Sequence, residues 1–473
     1  MPLRPRAQHG SSRRSFLRRT ALATGILTVV PRHVLGGPRF VPPSEKVNVA
    51  LIGAGGQGRM NLQSLFQLPD VQVVSVADPA ESFSLEDFYY RGEGGRLPTQ
   101  RLIEKQYATT HPQFRCTVHE DFRTLLEKEK GVDAILCATP DHLHAYISVL
   151  SMRLGKHVYC EKPLTHNIWE ARLVARVAKE TGVATQMGNI GHSLEGMRQT
   201  VEYIAAGAIG AVKEVHAWVG ATRWNKSLVG RPSDTPPVPA GLNWDLWLGP
   251  REARPYHPAY FPVRWRDFWA FGGGAIGDFV CHDLDAPCWA LDLKDPQTVF
   301  ARAAGQMDTE ISPHAEICYW QFGAQGSRPP VQVTWYDGGL RPRVPEGWPE
   351  DQELPGRGCL FVGDRGSMMC AGLGGKPMLL PESRNETYPR PAETVPRSKG
   401  HHRDWIDACK GGPAASSHFE YGARLTELLL LGILSLRLGG RELRWDAAAM
   451  KVKGVADADA IIKESYRPGW EMT

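Results

Sequence analysis

The stretch VNVALIGAGGQGRMNLQSLFQL, Val47–Leu68, runs from an apolar segment of strand length through a glycine-rich turn into a helical pattern. Val47–Ile52 is broken only by Asn48, and beyond the turn Met60, Leu62, Leu65 and Phe66 recur at helical spacing. Between them Gly53, Gly55 and Gly58 make a G-x-G-x-x-G pattern in the strand–turn–helix setting that gives it meaning. Gly53 permits the tight turn, Gly55 lets the backbone approach a pyrophosphate, and Gly58 lets the helix pack close to the strand. Gly56 and Gln57 complete the loop, and the helix N-terminus offers unpaired N–H groups to phosphate charge. The expectation is a dinucleotide site.

Working outward, VQVVSVADP reads as a second strand ending on Asp78, twenty residues past Gly58. A carboxylate there accepts hydrogen bonds from the adenosine ribose hydroxyls and repels a 2′-phosphate, which favours NAD over NADP. Strands and helices continue to alternate: VDAILCATP, DHLHAYISVLSMRLG, HVYCEKP, NIWEARLVARVAKETG, VATQMGN. That alternation predicts an α/β, doubly wound parallel sheet of Rossmann type, with ligands at the carboxyl ends of its strands. Thr139-Pro140, Glu161-Lys162 and Gln186–Asn189 are three such ends. Thr139, Pro140, Glu161 and Lys162, with His144 one turn into the following helix, are expected around the cofactor, and Asn189 at the substrate.

Lys162 closes an apolar strand between Glu161 and Pro163, where an ammonium can hydrogen-bond a substrate hydroxyl and stabilise a developing alkoxide. A second cluster lies in FWAFGGGAIGDFVCHDLDAPCWALDL, Phe268–Leu293. Its glycines lead into a helix from about Ile276, in which Asp278 and His282 are four apart and Asp285 three further, all on one face. An acid and a histidine so placed suit a substrate anchor and a general base. The stretch Asn243–Trp269, rich in Trp, Tyr and Arg and including Arg266, suits either sugar rings or a self-packed covering loop. No ligand cluster has convincing metal spacing, so no metal is expected.

GAGGQG, the strand-ending EKP and GGGAIGDFVCHDLD together resemble the Gfo/Idh/MocA family, the glucose-fructose oxidoreductase and inositol dehydrogenase relatives, over nearly everything from Val47 onward. The resemblance implies an N-terminal NAD(P) domain and a C-terminal α+β domain with an open-faced, mostly antiparallel sheet that supports substrate and often an oligomer. It implies that Lys162 is catalytic, that His282 takes the hydroxyl proton and that Asp278 holds substrate and histidine.

Composition bounds the rest. The formal charge is +4, and becomes −4 once the eight arginines of residues 1–40 are set aside, which argues against a nucleic-acid partner. The nine cysteines include no C-x-x-C pair, so neither a disulfide framework nor a zinc site is expected. At the start, Arg13-Arg14 with Phe16-Leu17, an apolar stretch Ala21–Val30 and small residues at Gly36-Gly37 resemble a twin-arginine export signal. The apolar stretch is too short to anchor in a bilayer, which needs about 20 apolar residues. The expected organisation is a signal over 1–37, a linker over 38–46, the Rossmann domain over 47–188 and a substrate and oligomerisation domain over 189–473. Expected function is an exported, periplasmic oxidoreductase with tightly bound NAD, acting on a secondary hydroxyl of a sugar, sugar derivative or cyclitol and partnered by the export machinery and its own copies. The alternatives are a redox-neutral hydrolase, lyase or epimerase working through a transient ketone, and a non-catalytic sugar-binding protein.

Overall fold

A computed structural model describes residues 41–472. The twin arginines, the apolar stretch and the expected cleavage region therefore lie outside the described residues. Residues before Val47 belong to a separate unit, of which a single turn, Pro43–Glu45, is described. No described helix is long and apolar enough to cross a membrane.

The first sheet holds β1 (Val47–Ile52), β2 (Val71–Ala77), β5 (Thr117–His119), β6 (Ala134–Cys137), β7 (His157–Cys160) and β8 (Thr185–Met187). A short hairpin, β3 (Phe83–Ser84) and β4 (Glu93–Gly94), stands apart. All six strands are parallel, in the order β5-β2-β1-β6-β7-β8, so the order reverses between β1 and β6. This is the doubly wound sheet the alternation predicts. Both its faces are covered, which is why β1 and β6 read as nearly continuous apolar runs. Val49, Leu51, Leu136 and Tyr159 face one core with Leu62 and Leu65, whereas Ala50, Ile52, Ile135 and Val158 face the other.

The second sheet has nine strands in the order β15-β14-β13-β9-β12-β11-β10-β16-β17, antiparallel except for β9 beside β12. They are β9 (Val212–Val219), β10 (Thr298–Ala304), β11 (Ala315–Phe322), β12 (Val331–Tyr336), β13 (Arg357–Gly363), β14 (Gly366–Ala371), β15 (Pro377–Leu380), β16 (Leu443–Asp446) and β17 (Lys451–Val452).

Three helices position the site. Ile168–Thr181 starts at a capping box, in which Asn167 accepts from the Glu170 amide and Glu170 reaches back, and stops at Gly182 in the left-handed region. Phe419–Arg437, buried along almost its whole length, packs against it and against Gly274–Asp283. A Cβ on Gly432 would lie 2.6 Å from Ile276 Cδ1, so the two helices approach closely at this glycine. The late helix His401–Cys409 returns to the first sheet, where Trp405 and Ile406 join the core behind β1.

Candidate active site

Register assembles the site. Ile52, Cys137, Cys160 and Met187 are aligned partners, so Gly53, Ala138, Glu161 and Gly188 emerge along one sheet edge. Gly53 has φ +93°, and a Cβ there would meet the Ala138 carbonyl at 2.6 Å. A Cβ on Gly58 would lie 2.2 Å from Gly53 O, whereas at Gly55 nothing lies within 4 Å. Two glycines are thus demanded by packing and the middle one opens onto space, the shape a pyrophosphate requires. Asp78 is buried, its Oδ2 accepting from the Ala54 amide at 2.7 Å and its Oδ1 from Ala80 at 2.8 Å. Burial pushes its carboxyl up to about 6 against those two bonds. Each oxygen keeps a second lone pair, so Asp78 both pins the glycine loop and retains acceptors for a ribose. These residues fit NAD.

Thr139 and Pro140 lead into the helix Asp141–Arg153. His144 is buried, and its ring nitrogens lie 2.9 Å from Thr139 O and 2.7 Å from Pro163 O, tying two strand ends together. Burial lowers its pKa to about 4, so it is neutral and donates to one of the two carbonyls. Glu161 turns toward the glycine loop, where the amides of Asn61 (2.7 Å) and Gln57 (3.4 Å) donate to Oε1.

Lys162 and Asp278 meet across 116 residues of sequence: Nζ donates to Asp278 Oδ1 at 2.5 Å and to Asp278 O at 2.7 Å. Arg266 Nε lies 3.5 Å from Asp278 Oδ2, with its guanidinium over the rings of Trp265 (4.3 Å) and Trp224 (5.8 Å). The three side chains are 12–16% exposed, buried enough to be fixed and open enough to be reached. Burial alone would push Asp278 up, but Lys162 and Arg266 override it and hold the carboxyl well below its usual range. Burial likewise opposes the Lys162 charge and Asp278 overrides it, leaving the ammonium pKa raised. His282, one turn on in the same helix, is held well below 6.5 by burial and by the charges of Lys162 and Arg357, and its Nδ1 is buried without a partner. It is a neutral base beside a fixed ammonium.

The first turn of that helix rests on a buried pair of acids. Glu316 Oε1 accepts from the Ile276 amide at 3.1 Å, and the Glu316 amide donates to Asp337 Oδ1 at 2.7 Å. Burial and the neighbouring carboxyl push Glu316 well up, and burial takes Asp337 to about 6.

One expectation is corrected. Asp285 does not share the face of Asp278 and His282, because the helix ends at Asp283 and Leu284 (φ −92°, ψ 0°) opens a second helix, Asp285–Ala290. Its carboxylate instead meets Asn189 Nδ2 (2.8 Å), His192 Nδ1 (2.9 Å) and the Tyr421 hydroxyl (2.5 Å). Asn189 and Asp285 are both fully buried and hold each other, so as substrate ligands they would have to release these bonds. Of the two readings of the aromatic stretch, self-packing is what these side chains do: Trp244, Trp247, Tyr256, Tyr260 and Phe268 bury one another in a core of their own. Sequence reasoning missed four residues here. Asp141, buried and pushed up to about 8 against the pull of Arg266 and Lys162, adjoined a flagged pair. Asp283 lay inside the quoted helix segment, whereas Arg357, whose Nε donates to both its oxygens at 2.7 and 2.9 Å, and Tyr90, whose ring lies 2.1 Å from where a Cβ of Gly56 would stand, gave no local signal.

Residues 47–189 match a family model described as an oxidoreductase family with NAD-binding Rossmann fold, and residues 197–325 match the C-terminal alpha/beta domain of the same family. Together the two models match more than half of the chain. A 2,7-anhydro-N-acetylneuraminate hydratase of Mediterraneibacter gnavus is 28% identical over 137 residues, 27% of this chain and 36% of that protein. An inositol 2-dehydrogenase of Rubrobacter xylanophilus is 30% identical over 179 residues, 37% of this chain and 44% of that protein. The chain thus spans less than half the length of these curated relatives. Among solved structures, the WlbA dehydrogenase of Bordetella pertussis, in complex with NADH and UDP-GlcNAcA, superposes with TM-score 0.55 at 15% identity, covering 85% of this chain and 99% of that one. At that identity the likeness speaks to the fold.

Proposed function

Because the chain belongs to the Gfo/Idh/MocA oxidoreductase family, we propose that it moves hydride from a secondary hydroxyl of a sugar, sugar derivative or cyclitol to NAD. The observation that carries this reading is the Lys162–Asp278 pair at the carboxyl end of β7, with His282 one helical turn away. Bound NAD supplies the hydride acceptor. The Lys162 ammonium donates to the substrate oxygen and stabilises the charge that grows there as the C–H bond breaks. Neutral His282 takes the hydroxyl proton. Asp278 fixes Lys162 through two contacts and so sets the direction of its one remaining N–H. Adding substrate to the holoenzyme without free cofactor, and following the absorbance of reduced nicotinamide, tests the assignment.

A second reading, redox-neutral turnover through a transient ketone, is favoured by one observation. The Tyr90 ring lies 2.1 Å from where a Cβ of Gly56 would stand, and the Gly95 amide donates to Ala54 O at 2.9 Å, so the segment after Asp78 straps the glycine loop. A glycine loop held in this way would keep a bound dinucleotide between turnovers. Export by the twin-arginine route belongs to the same proposal. Arg13 and Arg14 support it, as do nine cysteines that are all unpaired, eight of them buried, a pattern suited to folding in a reducing compartment before transport. Replacing both arginines by lysine and fractionating the cells would retain the protein in the cytoplasm if this is correct. A homo-oligomer is proposed on the same family grounds, and light scattering of the purified protein at monomer mass would refute it.

A further inference from the structure

Strand-to-helix connections in a doubly wound sheet usually take about 2–6 residues, and much longer ones are mostly functional. The connection after β2 runs over residues 78–95, up to the helix Arg96–Tyr107. Its own side chains anchor it. Leu85 and Phe88 are buried against Val263, the Phe83 ring meets Phe261 at 4.7 Å, and the Tyr90 ring packs on Gly56. Among these anchors stands Tyr89, 64% exposed.

A lone exposed ring needs no explanation, but this one is held in a stack. Its centroid is 4.0 Å from that of Tyr90 and 6.1 Å from that of Trp224, with 24° between the Tyr89 and Trp224 planes. From Trp224 the contacts run inward to the reaction centre. Arg266 lies 5.8 Å over the Trp224 ring, and its Nε is 3.5 Å from Asp278 Oδ2. From Tyr90 they run to the glycine loop at Gly56. The Tyr89 hydroxyl is within the electrostatic reach of both Arg266 and Asp278. Tyr89 thus completes an aromatic wall that joins the dinucleotide loop to the Lys162–Asp278 pair, and most of its surface is left open to water. A ring already fixed in place loses little entropy when a ligand covers it. The C–H face of a pyranose can cover it while the sugar hydroxyls stay in water, as the amphipathic character of a tyrosine ring allows.

We propose that Tyr89 determines specificity by stacking on the pyranose ring next to the one whose hydroxyl is oxidised, so that the substrate is a glycoside of at least two sugar rings. Two residues, Trp224 and Arg266, stand between Tyr89 and Asp278, which places Tyr89 outside the ring that meets Lys162. This rests on the reading of Lys162 and His282 as the reaction centre. Cellobiose, lactose and mannobiose are titrated calorimetrically into the holoenzyme, each beside the methyl glycoside of its non-reducing sugar. At least one disaccharide binds about tenfold tighter or better than its methyl glycoside, as covering one aromatic face implies. Unlike the pairing of exposed charges, that advantage persists at high ionic strength. In Tyr89→Ala the two members of the pair come within about twofold of each other, and Tyr89→Trp restores the difference, which a folding defect could not do. A disaccharide advantage that survives Tyr89→Ala, an advantage in no pair, or binding of no ligand overturns the proposal. Reduction of the bound cofactor by methyl glycosides, with no disaccharide favoured, sinks this inference and leaves the oxidoreductase reading standing. A Tyr89-dependent advantage with no cofactor reduction by any ligand does the reverse.

Discussion

Replacing Lys162 by alanine tests the reaction centre directly. Nζ makes two hydrogen bonds to Asp278, and its loss removes the donor closest to a developing alkoxide. Loss of one such donor from a preorganised site costs about 10²–10³ in kcat. The effect on stability should be smaller than the ~3–5 kcal/mol of stranding a buried charge, because Arg266 stays 3.5 Å from Asp278 and neutralises it. The sign with pH follows from the two shifts. Lys162 is raised above 10.5, so its contribution is fully present below that value and fades as pH rises through the folded pKa. Asp278 is depressed below 3.8, so its contribution is present above that value and fades as pH falls through the folded pKa. The pair is therefore intact throughout the neutral range, and neutral pH is where variant and wild type should be compared. Stopped-flow absorbance of reduced nicotinamide under single turnover reads the chemical step, and dinucleotide released on denaturation confirms equal loading. Lys162→Arg keeps the charge but changes the donor geometry and should recover only part of the rate. A Lys162→Ala enzyme, fully loaded and turning over within a few-fold of wild type, would refute the reasoning.

Three further expectations follow from the same geometry. His282 is depressed well below 6.5, so the acid limb of kcat/KM should fall well below pH 6.5, and a limb at or above that value would remove His282 as the base. The Glu316–Asp337 pair has raised pKa values, so its own contribution to stability in urea is fully present below about pH 4 and is lost as pH rises through about 6. Glu316→Gln should flatten that decline by ~1 kcal/mol or more, since a neutral amide can face an ionised Asp337, and an unchanged slope would count against the raised pKa values of the pair. Tyr90→Ala should speed loss of bound dinucleotide during gel filtration by at least tenfold without altering the fold, whereas unchanged retention would deny the strap its role.

What the sequence revealed and what it hid divide along contact range. The glycine loop was legible because its turn, its close approach and its helix start all lie within Gly53–Gly58, and the structure demands glycine at the first and last of these. The parallel sheet was legible because strands buried on both faces leave nearly continuous apolar runs, as in AILC of β6. Asp278 and His282 sit in one helix as their spacing implied, but Asp285 escaped, because helical periodicity does not announce a break at Leu284. The aromatic stretch was ambiguous for a physical reason: a ring that stacks on a sugar and a ring that stacks on Trp247 have the same composition. Arg357 meets Asp283 across 74 residues and His402, in the helix His401–Cys409, meets Asn61 across 341, and contacts of such separation leave no period to read.

The most direct test of the central claim is a cofactor assay on the purified protein as isolated. Denaturation should release close to one dinucleotide per chain, and adding a substrate glycoside to the native holoenzyme without free NAD should produce reduced nicotinamide in a burst no larger than that amount, absent in Lys162→Ala. A protein that releases no dinucleotide, and gives no burst even when NAD is supplied, would contradict the account.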